Sequence, residues 1–331
     1  MNPAHFATMR RRIFNAAAFS LACLGSASAT WAQDAKWPDR PVKVVVAFTA
    51  GGTTDIIARS VSTKLGEKLG QTFVIDNKPG AGGNIGTESV VRAAPDGHTF
   101  IINSVGPIAV NPWLYKALPY DPLKELVPVV QIADVPNMLV VHPSVPANTF
   151  EEFVALLKSS PGKLNYGSTG VGTSSHLSSH MLAQRVGSQA VHVPYRGANA
   201  LNDLLAGRLQ FMFATIPSAI QHVKAGKLRA LAVSSAKPSR SLPGVPTVQE
   251  KGYPGFEAGS WFGFFAPKGT SPAVVAALNK AVIEVLPGLE TQMINEGADP
   301  VGGTPEQFSR FIQQESVKWK AIVEASGATA E

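Results

Sequence analysis

The most constraining feature of the sequence is a strand signal followed at once by a glycine turn and a helix signal. Residues 42–48 form a β-branched and aromatic run suited to a strand buried on both faces. After Gly51 and Gly52, apolar residues recur at every fourth position from Ile57 to Leu69, and Gly70 follows as a helix stop. This order predicts the opening of a βαβ unit.

The same alternation continues along the chain. Further strands are predicted at residues 72–75, 99–103, 164–167, 191–194, 210–214 and 228–233, with a last one from Phe262. Helices are predicted at residues 84–94, 149–157, 174–185, 198–205, 217–225, 272–285 and 305–325. Connections of this length predict parallel strands and a doubly wound α/β architecture. The last segment has too few strands for its own domain, so we expect it to return to the first sheet, with connections near Val135 and Phe256.

The first residues have the pattern of an export signal. Three arginines at positions 10–12 precede an apolar stretch, residues 13–24, that is too short to span a bilayer comfortably. Small-residue cleavage sites compete at residues 27–29 and 30–32, and we favour a mature start at Gln33. A secretory signal is favoured over a twin-arginine signal, although residues 11–14 partly match the latter. Lipoprotein processing at Cys23 is a minority alternative.

Composition excludes several classes of function. Cys23 is the only cysteine and lies inside the signal, so a mature protein would have neither a disulfide nor a cysteine nucleophile. The formal charge of +6 falls to about +3 without the three arginines, and the remaining basic residues are scattered. This distribution does not support nucleic acid or a membrane surface as a partner. Roughly 300 mature residues exceed one core and predict two domains.

Three segments rich in glycine or hydroxyls run from a predicted strand into a predicted helix: residues 48–55, 79–86 and 166–176. The first amides of a helix have no intrahelical partner and carry the positive end of its dipole, so such turns can hold a carboxylate or phosphate. The alternatives are purely structural: a glycine turn with Asp55 complementing the dipole, a flexible turn, and N-capping by Thr173 or Ser174. Two lobes presenting such turns would form a cleft that closes on an anion.

No catalytic motif accompanies these segments. Residues 79–86 lack the spacing of a nucleotide fingerprint or a phosphate loop. Ser168 does not stand in a Gly-x-Ser-x-Gly frame. His176 and His180 lie one helical turn apart without a third metal ligand at motif spacing, which favours a polar helix face over a metal site. Asp203 faces either the cleft or a surface partner such as Arg196. We therefore predict no enzyme activity, cofactor or metal, with a secreted hydrolase using Ser168 or His176 as the least favoured alternative.

A set of segments in order along the chain resembles one known family, the Bug-type substrate-binding receptors of tripartite tricarboxylate transporters. The matching segments are residues 48–59, 76–87, 95–99, 111–115, 166–176, 192–197, 203–207, 226–232 and 261–267. The resemblance implies an α/β type II periplasmic-binding-protein fold, with two doubly wound lobes joined by two hinge strands and a ligand cleft between them. We place the signal peptide at residues 1–32, one lobe at 33–136 plus 257–331, and the other at 137–256.

The resemblance also implies a function. The chain would be a monomeric periplasmic receptor that captures a small carboxylate and delivers it to membrane permease subunits; the carboxylate would be a di- or tricarboxylate, an acidic amino acid or an aromatic acid. A ligand sensor for a membrane kinase is the alternative. His180 stands where the family often has glutamate, so no role is carried over to it. The implied ligand-binding residues are Phe48, Ala50, Gly51, Gly52, Thr53, Asp55, Ala81, Gly82, Gly83, Ser104, Ser168, Thr169, Gly170, Gly172, Thr173 and Asp203.

Overall fold

The computed structural model describes residues 37–326 and 328–330. The predicted export signal, its two cleavage sites and Cys23 lie outside the described residues. Eleven strands occur within them: β1 (Val42–Val46), β2 (Phe73–Asn77), β3 (Thr99–Ser104), β4 (Leu126–Val135), β5 (Asn137–Val141), β6 (Asn165–Ser168), β7 (Val191–Pro194), β8 (Phe211–Thr215), β9 (Arg229–Val233), β10 (Ser260–Pro267) and β11 (Asp299–Gly302).

The strands form two mixed sheets. The six-stranded sheet has the order β11-β4-β10-β3-β1-β2, and the five-stranded sheet has the order β7-β6-β8-β5-β9. We call the part of the chain built on the six-stranded sheet the first lobe and the part built on the five-stranded sheet the second lobe. The valines of β1 that face the core are fully buried because β1 has a parallel neighbour on each side and helices on its faces.

The prediction of purely parallel strands is wrong for several strands. In the first lobe, β10 runs antiparallel to both β3 and β4, and β11 runs antiparallel to β4. In the second lobe, β5 runs antiparallel to β8 and β9. Of these strands, β5 and β10 directly follow the two crossings between the sheets, so each arrives from the other lobe rather than through a helical crossover.

Eleven α-helices cover the sheets in the described residues: α1 (Thr53–Leu69), α2 (Asn84–Val91), α3 (Asn111–Leu114), α4 (Pro122–Glu125), α5 (Phe150–Ser159), α6 (Ser174–Arg185), α7 (Asn199–Leu205), α8 (Ile216–Lys224), α9 (Pro272–Val285), α10 (Glu290–Glu296) and α11 (Pro305–Ser326). Their ends agree with the local sequence signals. Gly70 ends α1 in the left-handed region at φ 72°, and the Thr149 hydroxyl accepts a hydrogen bond from the Glu152 amide at the start of α5.

The chain crosses between the sheets twice. The first crossing is the single residue Pro136 between β4 and β5, and the return lies between β9 and β10. Asn137 joins the two crossings, because its buried Nδ2 donates to the Ala258 carbonyl at 2.8 Å and to the Ser178 hydroxyl at 3.0 Å. The exact lobe boundaries, 136/137 and 256/257, stay a prediction.

One helical segment, Pro272–Glu296, is long and apolar enough to cross a membrane by length and composition alone. It comprises α9, a 3-10 turn at Leu286–Leu289 and α10. Val275, Leu278 and Val282 are buried, and α9 packs on α1 and β4. These contacts are those of a core helix of the first lobe.

Candidate ligand-binding site

A small cavity lies between the lobes at the edge where β1, β3, β6 and β8 end. Its volume is about 50 Å³. Among the described residues that line it, none carries a charged side chain; hydroxyls, backbone and two phenylalanine rings make up its wall. The lining residues are Phe48, Gly52, Thr53, Thr54, Ser104, Thr169, Thr173, Ser174, Gly197, Ala198, Thr215, Ser260 and Phe262.

Three helices begin at this cavity. The N-cap of α1 is Gly52, which has extended backbone angles and no capping side chain, so the first amides of α1 keep their donor capacity. The N-cap of α6 is Thr173, whose hydroxyl accepts from the His176 amide. The N-cap of α8 is Thr215, which makes no side-chain capping bond. The positive ends of three helix dipoles therefore converge on a space without a cationic side chain.

The lobes touch directly across the cavity. The hydroxyl oxygens of Thr53 and Thr215 lie 2.7 Å apart, and the Ala198 amide donates to Thr49 Oγ1 at 2.9 Å. These contacts join the first turn of α1 to the start of α8, and the loop before α1 to the turn before α7. The structure is therefore a closed form of the cleft, which explains the small volume.

A larger groove of about 620 Å³ runs along the outer side of α1 beside the edge strand β2. It is lined by Arg59, Glu67 and neighbouring residues and opens widely to solvent. Neither the second lobe nor a helix N-terminus contributes to it. The cavity between the lobes, where helix N-termini from both lobes meet, is therefore the better candidate site despite its smaller volume.

Asp55 lies behind the first loop rather than in the cavity. Its buried carboxylate accepts from the Gly51 amide and Arg59 Nε, both at 2.9 Å, and from Asn77 Nδ2 at 3.0 Å. Burial alone would raise the pKa of Asp55, but these hydrogen bonds outweigh it and hold the pKa below its usual value. The Gly51 amide is thus occupied by Asp55, and Ala50 is exposed outside the cavity.

The second glycine-rich segment also lies beside the cavity instead of lining it. Ala81, Gly82 and Gly83 form a single 3-10 turn before α2. Gly83 lies against the Phe48 ring, and Gly82 approaches the Val171 carbonyl of the second lobe. In the described structure Gly83 therefore supports Phe48 and Gly82 contacts the opposite lobe, whereas Ala81 is exposed.

Some residues of the loop 168–173 line the cavity, and others hold the loop in place from behind. Thr169 and Thr173 reach the cavity, whereas Ser168 is completely buried and donates through Oγ to the Gly170 carbonyl at 3.1 Å. The Ser168 hydroxyl also lies 2.7 Å from His192 Nε2. The Gly172 amide donates to His176 Nδ1 at 3.3 Å. Two imidazoles therefore hold the backbone of this loop from behind.

These imidazoles form an aromatic stack with Tyr166. The His192 ring lies 4.9 Å from the Tyr166 ring and 4.0 Å from the His176 ring, measured between centroids. Burial, with the neighbouring histidines, lowers the pKa of His176 to about 3, and burial and His180 lower that of His192 to about 4. Both rings are neutral at neutral pH. Within residues 37–326 and 328–330, no three His, Cys, Asp or Glu side chains meet as a metal site requires.

Two further candidates lie outside the cavity. Asp203 accepts from the Tyr195 hydroxyl at 2.6 Å and pairs with Arg208 at 2.7 Å, so its partner is Arg208 rather than Arg196. His180 Nε2 lies 3.1 Å from the Ser326 carbonyl at the end of α11 and is the donor in that contact.

Of the sixteen residues expected to bind ligand, six line the cavity: Phe48, Gly52, Thr53, Ser104, Thr169 and Thr173. The lining residues absent from that set are Thr54, Ser174, Gly197, Ala198, Thr215, Ser260 and Phe262. Thr215 could have been found, because it stands between a predicted strand and a predicted helix, the signal used for the other loops. Ser260 and Phe262 follow the crossing from the second lobe; Phe262 begins a predicted strand, but no local pattern marks either residue as part of the cavity. The ligand-binding roles themselves stay a prediction.

The chain has clear relatives. The family model described as the tripartite tricarboxylate transporter family receptor matches residues 57–328. BugT of Bordetella pertussis is 37% identical over 296 residues, covering 88% of this chain and 91% of BugT. A solved structure of R. palustris Rpa4515 with adipate is 37% identical, with a TM-score of 0.87, covering 88% of this chain and 99% of that one.

A second solved structure, MatC from Rhodopseudomonas palustris with bound malate, is 33% identical, with a TM-score of 0.83. The match covers 87% of this chain and 100% of that one. The similarity thus extends over both lobes and the cleft between them. With most of its length matched by the family model and its fold shared with these structures, the chain belongs to the tripartite tricarboxylate transporter receptor family, the periplasmic solute-binding Bug proteins.

Proposed function

We propose that this chain captures a small carboxylate in the cleft and delivers it to the membrane permease of a tripartite tricarboxylate transporter. The observation that carries the proposal is the convergence of the N-termini of α1, α6 and α8 on a cavity lined by uncharged residues. Relatives with bound adipate and malate support a carboxylate as the ligand class.

The free amides of α1 are the proposed anchor for one carboxylate group. A hydrogen bond from an amide to a charged acceptor contributes about 1.5–3 kcal/mol net, so two such bonds support binding without an ion pair. The hydroxyls of Ser104, Thr169 and Thr215 can accept or donate, and the rings of Phe48 and Phe262 offer apolar contact. This wall selects a ligand with an apolar segment beside its polar ends.

Ligand entry requires opening, because the two lobes touch directly across the cavity at Thr53–Thr215 and at Thr49–Ala198. We infer that the lobes, with boundaries at 136/137 and 256/257, rotate about the two crossings next to Asn137. A ligand that contacts both lobes favours the closed form by its difference in affinity for the two forms. The closed receptor is then the form delivered to the permease.

A thermal-unfolding screen tests ligand capture. Purified protein is melted with adipate, malate, acidic amino acids and aromatic acids, and at least one acid is expected to raise the melting temperature in proportion to the logarithm of its concentration. Gly52→Val places an isopropyl group in the cavity wall at the start of α1 and is expected to abolish the shift. Gly288→Val, at a glycine with open space around it, is the control and keeps the shift. No stabilising acid, or a shift that survives Gly52→Val, contradicts the proposal for this cavity.

The proposed location is the periplasm, reached through a secretory signal at residues 1–32. Mass spectrometry of the protein from a periplasmic extract is expected to show a mature chain that begins at Gln33. A chain retained in the cytoplasm with its N-terminus intact contradicts this part of the proposal. Blocking the twin-arginine pathway separates the two export routes.

A serine hydrolase is the second candidate, favoured only by the 2.7 Å contact between Ser168 Oγ and His192 Nε2. Ser168 has no solvent exposure, and its hydroxyl already donates to the Gly170 carbonyl. His192 must therefore donate to Ser168, which is the reverse of a general base. We infer that the chain is not a hydrolase. Release of product from an ester of any acid that the screen identifies, lost in Ser168→Ala, contradicts this inference.

A further inference from the structure

The lobes meet beside the cavity along backbone in which several glycines face each other. Gly82 and Gly106 belong to the first lobe; Gly170 and Gly172 belong to the second. We call these four residues the glycine seam. A methyl group on Gly82 would lie closer than 3.0 Å to the Val171 carbonyl, and one on Gly170 would lie 3.2 Å from the Gly82 Cα. A methyl group on Gly106 would lie 3.3 Å from the Gly172 carbonyl.

The obstacles to a side chain at the seam cannot easily move aside. At Gly82 and Gly170 they are backbone atoms of the opposite lobe. At Gly172 the obstacle is Asn111 Oδ1, with Leu114 Cδ2 next at 2.9 Å. Asn111 is fixed because its Nδ2 donates to Asn84 Oδ1, which also accepts from the Tyr120 hydroxyl at 2.8 Å. A side chain at Gly82 or Gly172 can therefore be accommodated only by separating the lobes.

From this geometry we propose that the glycine seam sets how far the cleft closes. Gly82 and Gly172 are positioning residues: they touch no part of the cavity but let the first turn of α1 approach the starts of α6 and α8. The inference rests on the proposed function as a closing receptor, and it explains why residues 79–86 are rich in glycine although they do not line the cavity. The contact between the Thr53 and Thr215 hydroxyls reports whether the cleft is closed.

Closure can be measured without any ligand. The chain's only cysteine is Cys23, so Cys23→Ser gives a thiol-free background. Thr53→Cys with Thr215→Cys then places two sulfurs where the hydroxyl oxygens lie 2.7 Å apart, close enough for a disulfide only when the lobes are closed. The rate of disulfide formation under a fixed oxidant reports the closed fraction.

Gly82→Ala and Gly172→Ala are each expected to slow this cross-linking about tenfold, since overpacking of this kind is disfavoured by a comparable factor. Matched controls separate the loss of closure from backbone strain. Gly70→Ala in the first lobe and Gly162→Ala in the second both change glycines at φ 72° with nothing within 4 Å, and they are expected to leave the rate unchanged. Cross-linking in Gly82→Ala and Gly172→Ala at the rate of these controls overturns the proposal.

A rescue keeps the test decisive if one seam variant folds poorly. Asn111→Ala removes the atom that a methyl group on Gly172 strikes, so the pair Gly172→Ala and Asn111→Ala is expected to cross-link faster than Gly172→Ala alone. No rescue by this pair counts against the seam. Because no carboxylate is added, failure of ligand capture in the thermal screen leaves this result intact, and the two proposals fail independently.

Discussion

Replacing Asp55 with alanine separates a structural role from a ligand contact. The carboxylate is only 3% exposed and accepts hydrogen bonds from the Gly51 amide, Asn77 and Arg59. In Asp55→Ala the Gly51 amide loses a charged acceptor, which costs about 1.5–3 kcal/mol. Asn77 loses its hydrogen bond to Asp55 but keeps the one to the Phe48 carbonyl, so this loss costs less than that of the Gly51 amide. The loss of the ion pair with the exposed Arg59 adds at most about 1 kcal/mol. We expect the free energy of unfolding to fall by about 3 kcal/mol.

The pH dependence of this loss has a defined sign. The pKa of Asp55 in the folded chain lies below the usual 3.8, so the folded state favours the ionised form. Its contribution is complete above about pH 5, begins to fall near the unfolded value of 3.8 and is lost as the pH falls through the folded value. The difference in the free energy of unfolding between wild type and Asp55→Ala, measured in urea, is therefore expected to be constant from pH 5 to 7 and to shrink below the usual pKa.

Asp203→Ala is the matched control, because Asp203 also accepts two side-chain bonds but lies partly exposed outside the cavity. Because solvent screens both of its partners, Asp203→Ala is expected to cost clearly less than Asp55→Ala. If Asp55→Ala costs no more than Asp203→Ala yet abolishes stabilisation by carboxylates, the reasoning is refuted and Asp55 contacts the ligand itself.

Two other predictions concern the second lobe. His176 and His192 have pKa values of about 3 and about 4 in the folded chain, so the unfolded chain takes up protons first. Stability is expected to be complete above about pH 6.5 and to fall towards pH 4 by up to about 1.4 kcal/mol per pH unit for each histidine; His192→Phe should reduce that slope in urea unfolding. Thr149→Ala removes the acceptor for the Glu152 amide and should cost about 1 kcal/mol in the same assay, whereas Thr149→Ser should cost little; equal costs would contradict the capping role.

Elements whose signals are local could be predicted from the sequence. Helices α6 and α9 have the predicted bounds: the Thr173 hydroxyl caps the start of α6, and Pro272 stands at the first position of α9. Strand β4 was not predicted, since Pro128 falls within it and proline argues against a strand interior. The structure accommodates Pro128 beside a register shift opposite Phe264 and Phe265, where the ladder is already irregular.

The loops that meet at the cleft could be located from the sequence, but the partner of each group within them could not. The sequence pattern does not reveal that the Gly51 amide is occupied by Asp55, that Ser168 faces His192, or that Gly82 faces the other lobe. The last two contacts depend on how segments distant in sequence are juxtaposed, whereas the first depends on the exact backbone path of the turn between Gly51 and Asp55. The same limit applies to Ser260 and Phe262, which join the cavity only because β10 returns from the second lobe.

The division between lining and supporting residues also constrains how this receptor can select its ligand. Backbone amides recognise a carboxylate whatever is attached to it, so in the proposed site the α1 turn would contribute affinity without discrimination. Discrimination must arise from Phe48, Phe262 and the surrounding hydroxyls, and from the volume left when the lobes meet. On the proposal that the glycine seam limits closure, a substitution at the seam is expected to weaken the binding of every ligand, whereas one at Phe262 is expected to change their order of affinity.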